Sequence, residues 1–306
     1  MTSYLATNNV LIQNDANCVK LCDCLENNCC DKCIVSSTLS YSLDYNSPPD
    51  LTNDASFINE NEKMDFFCLN ICGLISKLKY QNFQQIIKPY SFVCLSELRT
   101  SFISPDEFPG FHHIISDRKC TIDGMETRKL TGLAILIDEN ISYEIIKGTS
   151  CEWVLWVKVI NLKNQYNFLL GSVYIPCETS VYHDGCIYET LLCDMLDLYA
   201  KFDLPFVIMG DFNSRTSTKS DILPIESHVT LSTGYTDDHT DYMEQFNLSN
   251  RANQDKVLNK NGKGLISLCQ TMNLRILNGR FGIDKGVGEF TCHTSNGEST
   301  VDYIIV

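Results

Sequence analysis

Gly210-Asp211-Phe212-Asn213 closes the apolar run 204–209. That run is long enough for a buried strand, and a strand sends alternate side chains to one side. Asp211 and Asn213 therefore leave the strand end together, a carboxylate and an amide at the rim of a sheet. The pair suits hydrolysis of a phosphate ester. A carboxylate can take a proton from attacking water, and an amide can donate to that water or to the negative oxygens. The alternative is a strand ending in an Asx turn, where the same residue types bond their own backbone. These four residues alone leave both readings open.

Other polar residues end apolar runs in the same way. Residues 66–69 lead into Asn70 and then Gly73-Leu74, and residues 92–95 lead into Ser96-Glu97. Glu97 is the strongest candidate for a hard divalent ion, since Mg²⁺ takes one or two carboxylates and otherwise water. Asn70 is placed to hold the same ion directly or through water. The bland alternative for Glu97 is a solvated acid at a strand end. Residues 171–175 end at Pro176, and Tyr174 in that run reads as packing. Asp302, between Val301 and Tyr303 in an apolar segment, needs a buried partner.

The elements that must position these groups are legible from periodicity. Apolar spacing at Ile75, Leu78, Phe83, Ile86 and Ile87 predicts a helix over 75–87, halted before Pro89. Strands are expected at 91–96, 132–138, 153–160 and 167–175. A helix follows over 188–202 and a strand over 205–209. Residues 214–260 read as a long polar surface excursion containing Asp237-Asp238-His239. A helix over 263–272 and strands at 275–279, 289–294 and 300–306 complete the series. Strands mixed with helices predict an α/β fold, two mixed sheets covered by helices.

In this order, the segments around Asn70, Glu97, Tyr174, Asp211 and Asp302 resemble the endonuclease/exonuclease/phosphatase family. The span from Asn261-Gly262-Lys263-Gly264-Leu265 through Asn278-Gly279-Arg280 to Gly288-Glu289-Phe290-Thr291 is similar to the endonuclease domain of LINE-type (non-LTR) retrotransposons. The resemblance covers roughly 64–306. It implies a layered α/β/β/α sandwich and an Mg²⁺-dependent endonuclease, with Mn²⁺ as a substitute. The enzyme would nick one DNA strand and leave a 3′-hydroxyl to prime reverse transcription. It implies catalytic roles for Asp211 on the attacking water, for Asn213 on that water or the phosphorane oxygens, and for Asp302 in orienting a catalytic His. It implies metal ligation by Asn70 and Glu97. The partner is DNA, and a reverse transcriptase is expected downstream in an intact element. Members of this family end in a Ser-Asp-His motif, whereas this sequence ends at Val306. The expectation is therefore a C-terminally truncated domain without its final strand, an unpaired apolar edge at 300–306 and weak or no nicking. A catalytically inactive remnant and a phosphomonoesterase or phosphodiesterase of the same fold are the competing readings.

Composition bounds these readings. A chain of 306 residues with 44% hydrophobic content suffices for one large domain and a short extra segment. A net charge of −14 has the wrong sign for broad phosphate contact, so DNA binding requires a local basic strip and a metal-neutralised site. Residues 1–60 are polar, rich in Asn, Asp and Ser, and read as a largely disordered leader. Six of the 16 cysteines fall there, at Cys18, Cys22, Cys24, Cys29, Cys30 and Cys33. Paired C-x₂-C spacing is missing and no His lies close by, so zinc is not expected. No signal peptide or membrane span is expected, which predicts a nuclear or cytoplasmic protein with reduced thiols.

Overall fold

In the computed structural model, the described residues are 64–306 without 101, 117–120, 123–124, 127–131, 161–166, 224–250 and 296, together with three strands nearer the N-terminus. Those strands are β1 (Asn9–Asn14), β2 (Val35–Ser36) and β3 (Leu39–Asn46). The rest of the leader, including its six cysteines, lies outside the described residues, as do Asp237-Asp238-His239 and Lys129-Leu130-Thr131.

Next along the chain come β4 (Met64–Asn70), helices α1 (Leu74–Lys77) and α2 (Gln81–Ile87), β5 (Phe92–Ser96) and β6 (Phe111–Ile115). A small ribbon, β7 (Thr121–Ile122) and β8 (Met125–Glu126), precedes β9 (Ala134–Asp138), β10 (Ser142–Ile145), β11 (Val154–Ile160) and β12 (Asn167–Tyr174). Helix α3 (Ile187–Phe202), β13 (Phe206–Asp211) and helix α4 (Lys260–Met272) follow. The chain closes with β14 (Cys292–Thr294), β15 (Gly297–Ser299) and β16 (Asp302–Ile305).

Two mixed sheets stack face to face. One runs β1-β3-β4-β5-β9-β6 and the other β10-β11-β12-β13-β16. Between them lies an apolar layer that includes Phe66, Phe92, Ile135, Val157, Leu170 and Met209. Helices α1 and α2 cover the outer face of the first sheet through Leu74, Phe83 and Ile87. Helices α3 and α4 cover the second through Leu191, Met195, Leu265 and Cys269. This is the layered α/β/β/α sandwich that the resemblance implies, with the two mixed sheets covered by helices that the alternating elements predict. Among the described residues no helix is long and apolar enough to cross a membrane.

Two elements depart from the reading of periodicity. The helix expected over 75–87 is broken, with Tyr80 extended at φ −91°, ψ 113°. Leu74 and Phe83 are both fully buried. Nine residues of unbroken helix would set them on opposite faces, so the break is what lets both reach the sheet. The strand expected over 275–279 is instead a strap along the outer edge of β16. Arg275 N–H donates to Val306 O (2.6 Å), Val306 N–H to Arg275 O (3.0 Å) and Leu277 N–H to Ile304 O (2.9 Å). The edge at 300–306 is therefore paired on both sides, and the expected unpaired apolar edge is corrected. The strap itself is held from below. Arg280 forms a bidentate ion pair with Asp221, both N···O distances 2.7 Å, and both side chains are buried.

The flanks of the supposed surface excursion also turn inward. Ser214, Thr216, Asp221, Arg251, Asn253 and Asp255 are buried. Arg215 grips Asp255 through two bonds of 2.7 Å, and Arg251 donates through Nη2 to Thr216 Oγ1 at 2.9 Å while its Nε and Nη1 are buried without a hydrogen-bond partner among the described residues.

Candidate active site

The two sheets deliver their functional residues to one rim. β4 and β5 run parallel, with Asn70 beside Ser96, so Asn70 and Glu97 emerge from the same end. β12 and β13 also run parallel, placing Tyr174 beside Asp211. Strand β16 enters antiparallel to β13 and sets Asp302 directly opposite Asp211. Gly210, immediately before Asp211, has φ +141°, and a Cβ there would meet Val173 O at 2.2 Å. Only glycine allows β13 to press so closely on β12 at the point where Asp211 is presented.

Asn70 joins the sheets. Its Nδ2 donates to Glu97 Oε1 and to Asp211 Oδ2, both at 2.9 Å. Its Oδ1 accepts from Cys72 N–H at 3.1 Å, which fixes the amide orientation. The other Glu97 oxygen, Oε2, accepts from Arg99 Nη2 at 3.0 Å, and that guanidinium also donates to Cys72 Sγ at 3.0 Å. Glu97 and Arg99 both have left-handed backbone, φ +53° and +54°. Such a conformation is costly for these residue types and recurs where function constrains the chain. Tyr174 packs against the core of the second sheet, and burial, with the charges of Glu97 and Asp211, pushes its hydroxyl up.

Asn213 sits just beyond β13 with φ +46°. Its N–H donates to Asp211 Oδ1 at 2.8 Å, and its Nδ2 donates to Ile175 O at 2.8 Å. The Asx turn weighed as an alternative is thus present, and it holds the Asp211 carboxylate at the rim. Asn259 and Asn261, on and beside the start of α4, tie down the same loop. Asn259 Nδ2 donates to Asn213 O at 3.1 Å, and Asn261 Nδ2 to Pro176 O at 3.2 Å.

Burial raises the Asp211 carboxyl from 3.8 to about 7. The bonds from Asn70 and Asn213 oppose the rise and the Glu97 charge adds to it. Burial, with the charge of Asp211, pushes Asp302 well above the usual carboxylate range, against a bond from Thr291. Each of the four described histidines bonds away from this pair: His112 to Glu139 O, His113 to Phe108 O, His183 to Asn261 and His293 to Glu298. Asp302 faces Asp211 where the resemblance implies a histidine.

The donor set suits a hard divalent cation. Glu97, Asp211 and Asp302 offer only oxygen, and their crowded charges create a field that a cation relieves. Among the described residues no three His, Cys, Asp or Glu side chains close round one point. Mg²⁺ does not require that, because it keeps several waters on one or two carboxylates. Next to Glu97 lies a cavity of about 180 Å³ whose lining includes Arg99, Trp153, Tyr174, Ser180 and Tyr182.

The sequence reading missed Arg99, Cys72, Asn259 and Asn261. Of these, Asn261 opens the span similar to the retrotransposon endonucleases, and Asn259 carries a local signal as a helix N-cap whose side chain accepts from Gly262 N–H at 2.7 Å.

No family model and no curated protein sequence matches this chain. Solved structures do. It is similar to the AP endonuclease LMAP from Leishmania major, 11% identical, with 78% of each chain covered and a TM-score of 0.51. It is similar to the catalytic domain of Xenopus laevis APE2, 12% identical, covering 78% of this chain and 81% of that one at a TM-score of 0.50. The endonuclease domain of TRAS1, a telomere-specific non-LTR retrotransposon, is 13% identical, covering 78% of this chain and 82% of that one at a TM-score of 0.46. At these identities the likeness is one of fold. The chain has the α/β sandwich fold of the endonuclease/exonuclease/phosphatase proteins.

Proposed function

We propose that this chain is a divalent-metal-dependent endonuclease domain that hydrolyses a DNA phosphodiester, of the kind that nicks a target for retrotransposition. The observation that carries the reading is the Asn70 amide, which ties Glu97 of one sheet to Asp211 of the other at a single rim. Glu97 and Asn70 would hold Mg²⁺ or Mn²⁺, which neutralises charge on the phosphate oxygens. Asp211, raised to about 7, is poised to accept a proton from water near neutral pH. Asn213 fixes that carboxylate through its N–H and offers an amide to the negative oxygens. Asp302 stands directly opposite Asp211 and, itself pushed well above the usual carboxylate range by burial and by the Asp211 charge, would share a proton with it. A reverse transcriptase would act on the 3′-hydroxyl in an intact element, and such work places the protein in the nucleus or cytoplasm.

The test is nicking of supercoiled plasmid with and without Mg²⁺. Metal-dependent nicking that falls about 100-fold or more in Glu97→Gln is expected. Equal rates in wild type and variant, or no nicking, would sink the reading. The net charge of −14 favours a second reading, a small phosphate ester as substrate. Hydrolysis of a mononucleotide ester without plasmid nicking would select it. Inertness toward both substrates would select a catalytically inactive remnant.

A further inference from the structure

Residues 177–186 run from the end of β12 to the start of α3 and turn twice on themselves. Ser180 N–H donates to Cys177 O at 2.9 Å and His183 N–H to Ser180 O at 3.0 Å. These turns bring the His183 ring to the buried side chain of Asn261 at the start of α4, Nε2 to Oδ1 at 2.7 Å. The surrounding bonds fix the proton on that ring. Asn261 also faces two backbone carbonyls, Pro176 O at 3.2 Å and Asn213 O at 3.5 Å. Carbonyls only accept, so the Asn261 Nδ2 stands there and its Oδ1 faces the histidine. That oxygen accepts in turn, so His183 Nε2 carries a proton. Gly185 N–H can only donate, and it lies 3.2 Å from His183 Nδ1, so that nitrogen is bare. His183 is therefore the neutral Nε2–H tautomer, with both ring nitrogens committed.

The titratable groups around the ring are Glu178, Tyr182 and Asp184 of its own loop and Lys260 of α4. Glu178 accepts from Asn261 N–H at 2.7 Å and Asp184 from Cys186 N–H at 2.9 Å, so both acids are engaged elsewhere. Lys260 Nζ would lie 3.7 Å from a Cβ at Gly185, which puts a cation beside the turn. A second proton, on Nδ1, would face Gly185 N–H next to that cation. Asn261 meanwhile spans two strand ends. Pro176 follows β12 and Asn213 follows β13, and Asn213 N–H holds Asp211 Oδ1 at 2.8 Å. We infer that His183 is a positioning residue: as the neutral Nε2–H tautomer it aims the Asn261 amide at Pro176 O and Asn213 O, and so fixes the turn that presents Asp211. Protonation of Nδ1 opens this latch from the Gly185 side. The role in catalysis rests on the nuclease reading above; the latch itself does not.

The test is long-range proton–nitrogen correlation of the histidine rings in the full chain, with His183 assigned by the signals lost in His183→Gln. At neutral pH a protonated Nε2 and a bare Nδ1 are expected. On acidification the Gly185 and Asn213 amides should move with the same midpoint as the ring. An Nδ1–H tautomer, or a ring that titrates while the Asn213 amide stays still, overturns the inference. Gln carries a donor to the Nε2 position and Ala carries none. The Asn213 amide is therefore expected near its wild-type shift in His183→Gln and displaced in His183→Ala; equal shifts in the two variants also overturn the inference. In plasmid nicking, His183→Ala should lose about tenfold in kcat with KM little changed, and His183→Gln should regain most of it. Wild-type kcat in a folded His183→Ala removes the positioning role. The two readings fail separately. If wild type does not nick, the hydrolytic reading falls, and the ring and amide shifts still decide the latch.

Discussion

Asp211 and Asp302 face each other across neighbouring antiparallel strands, and both are almost fully buried. Directly opposite residues share one face of a sheet, so the two carboxyls meet with no cation between them among the described residues. Burial pushes both upward, Asp211 to about 7 with the Glu97 charge adding, and Asp302 further under the charge of Asp211. The pair is a store of unfavourable electrostatics placed where the proposed chemistry needs it.

That arrangement fixes the sign of a pH effect. A carboxyl raised by folding binds its proton more tightly in the folded chain. The stability it contributes is full below its ordinary value of 3.8 and is lost as pH rises through about 7. Asp302 acts in the same direction. Asp221 and Asp255 are lowered by Arg280 and Arg215, net of an opposing effect of burial, so their contribution is lost only at lower pH. In EDTA, the free energy of unfolding is therefore expected to fall between pH 5 and pH 8 by an amount on the order of a few kcal/mol, and Tm with it. Millimolar Mg²⁺ should flatten the fall. A Tm that is level or rises over this range in EDTA would refute the account.

Asp302→Asn removes one of the two charges and supplies an amide that can donate to Asp211. At pH 8 in EDTA the variant is expected to be more stable than wild type by about 1 kcal/mol, with a shallower pH slope. Its nicking rate should fall, because the carboxyl that faces Asp211 across the strands is lost. Denaturant midpoints and initial rates measured on one preparation check both halves. A variant less stable than wild type would mean that the pair is not repulsive.

Asn70→Ala separates the sheets chemically without opening the core. The substitution takes one donor from Glu97 and one from Asp211, and both acids remain at the rim. Loss of such an orienting group costs about 10–100-fold in metal affinity or activity. Mn²⁺ titration followed by electron paramagnetic resonance should show weaker binding, with the thermal midpoint little changed. Wild-type affinity in this variant would remove Asn70 from the metal site.

Legibility followed the backbone. Asn70, Glu97 and Asp211 are legible as candidates because each ends an apolar run, and two parallel strand pairs carry those ends to one rim. Asp302 was found because a charge inside an apolar segment demands a partner. Arg99 was not legible. Its role comes from contacts with Glu97 and Cys72 that its own left-handed turn creates. Residues 214–223 and 251–259 were misread for a related reason. Buried polar groups that pair across the chain have the composition of a surface loop, and pairs such as Arg215 with Asp255 span 40 positions that no local pattern reports. The strap at 275–277 reads as an ordinary strand in the sequence because its apolar residues are those of one.

Gly210→Ala tests how closely the rim is built. The added methyl would sit 2.2 Å from Val173 O, and φ +141° already disfavours any side chain. Both the clash and the strain are backbone features, so no rotamer relieves them. Destabilisation of about 3 kcal/mol or more is expected, with largely insoluble expression at 37 °C. A soluble variant with wild-type Tm would show that β12 and β13 do not approach this closely.

Arg280→Met tests the edge of the second sheet. Arg280 meets Asp221 through two bonds of 2.7 Å and also donates to Ile276 O at 2.7 Å, while Asp221 accepts from Ile276 N–H at 2.8 Å. The ion pair therefore clamps the strap that covers β16. Removing the cation leaves Asp221 buried and unpaired, which costs about 3–5 kcal/mol. The strap also carries Asn278, which donates to Asp302 O at 3.0 Å and accepts from Ile304 N–H at 3.2 Å. Its release would expose the apolar edge of β16 to a second chain and loosen Asp302 together with it. The variant is expected to show concentration-dependent aggregation and faster hydrogen exchange at Ile304 and Val306. The double variant Arg280→Met/Asp221→Leu, with no orphaned charge, should recover much of the stability. If the double variant is as unstable as the single one, the damage lies in packing and not in the unpaired carboxylate.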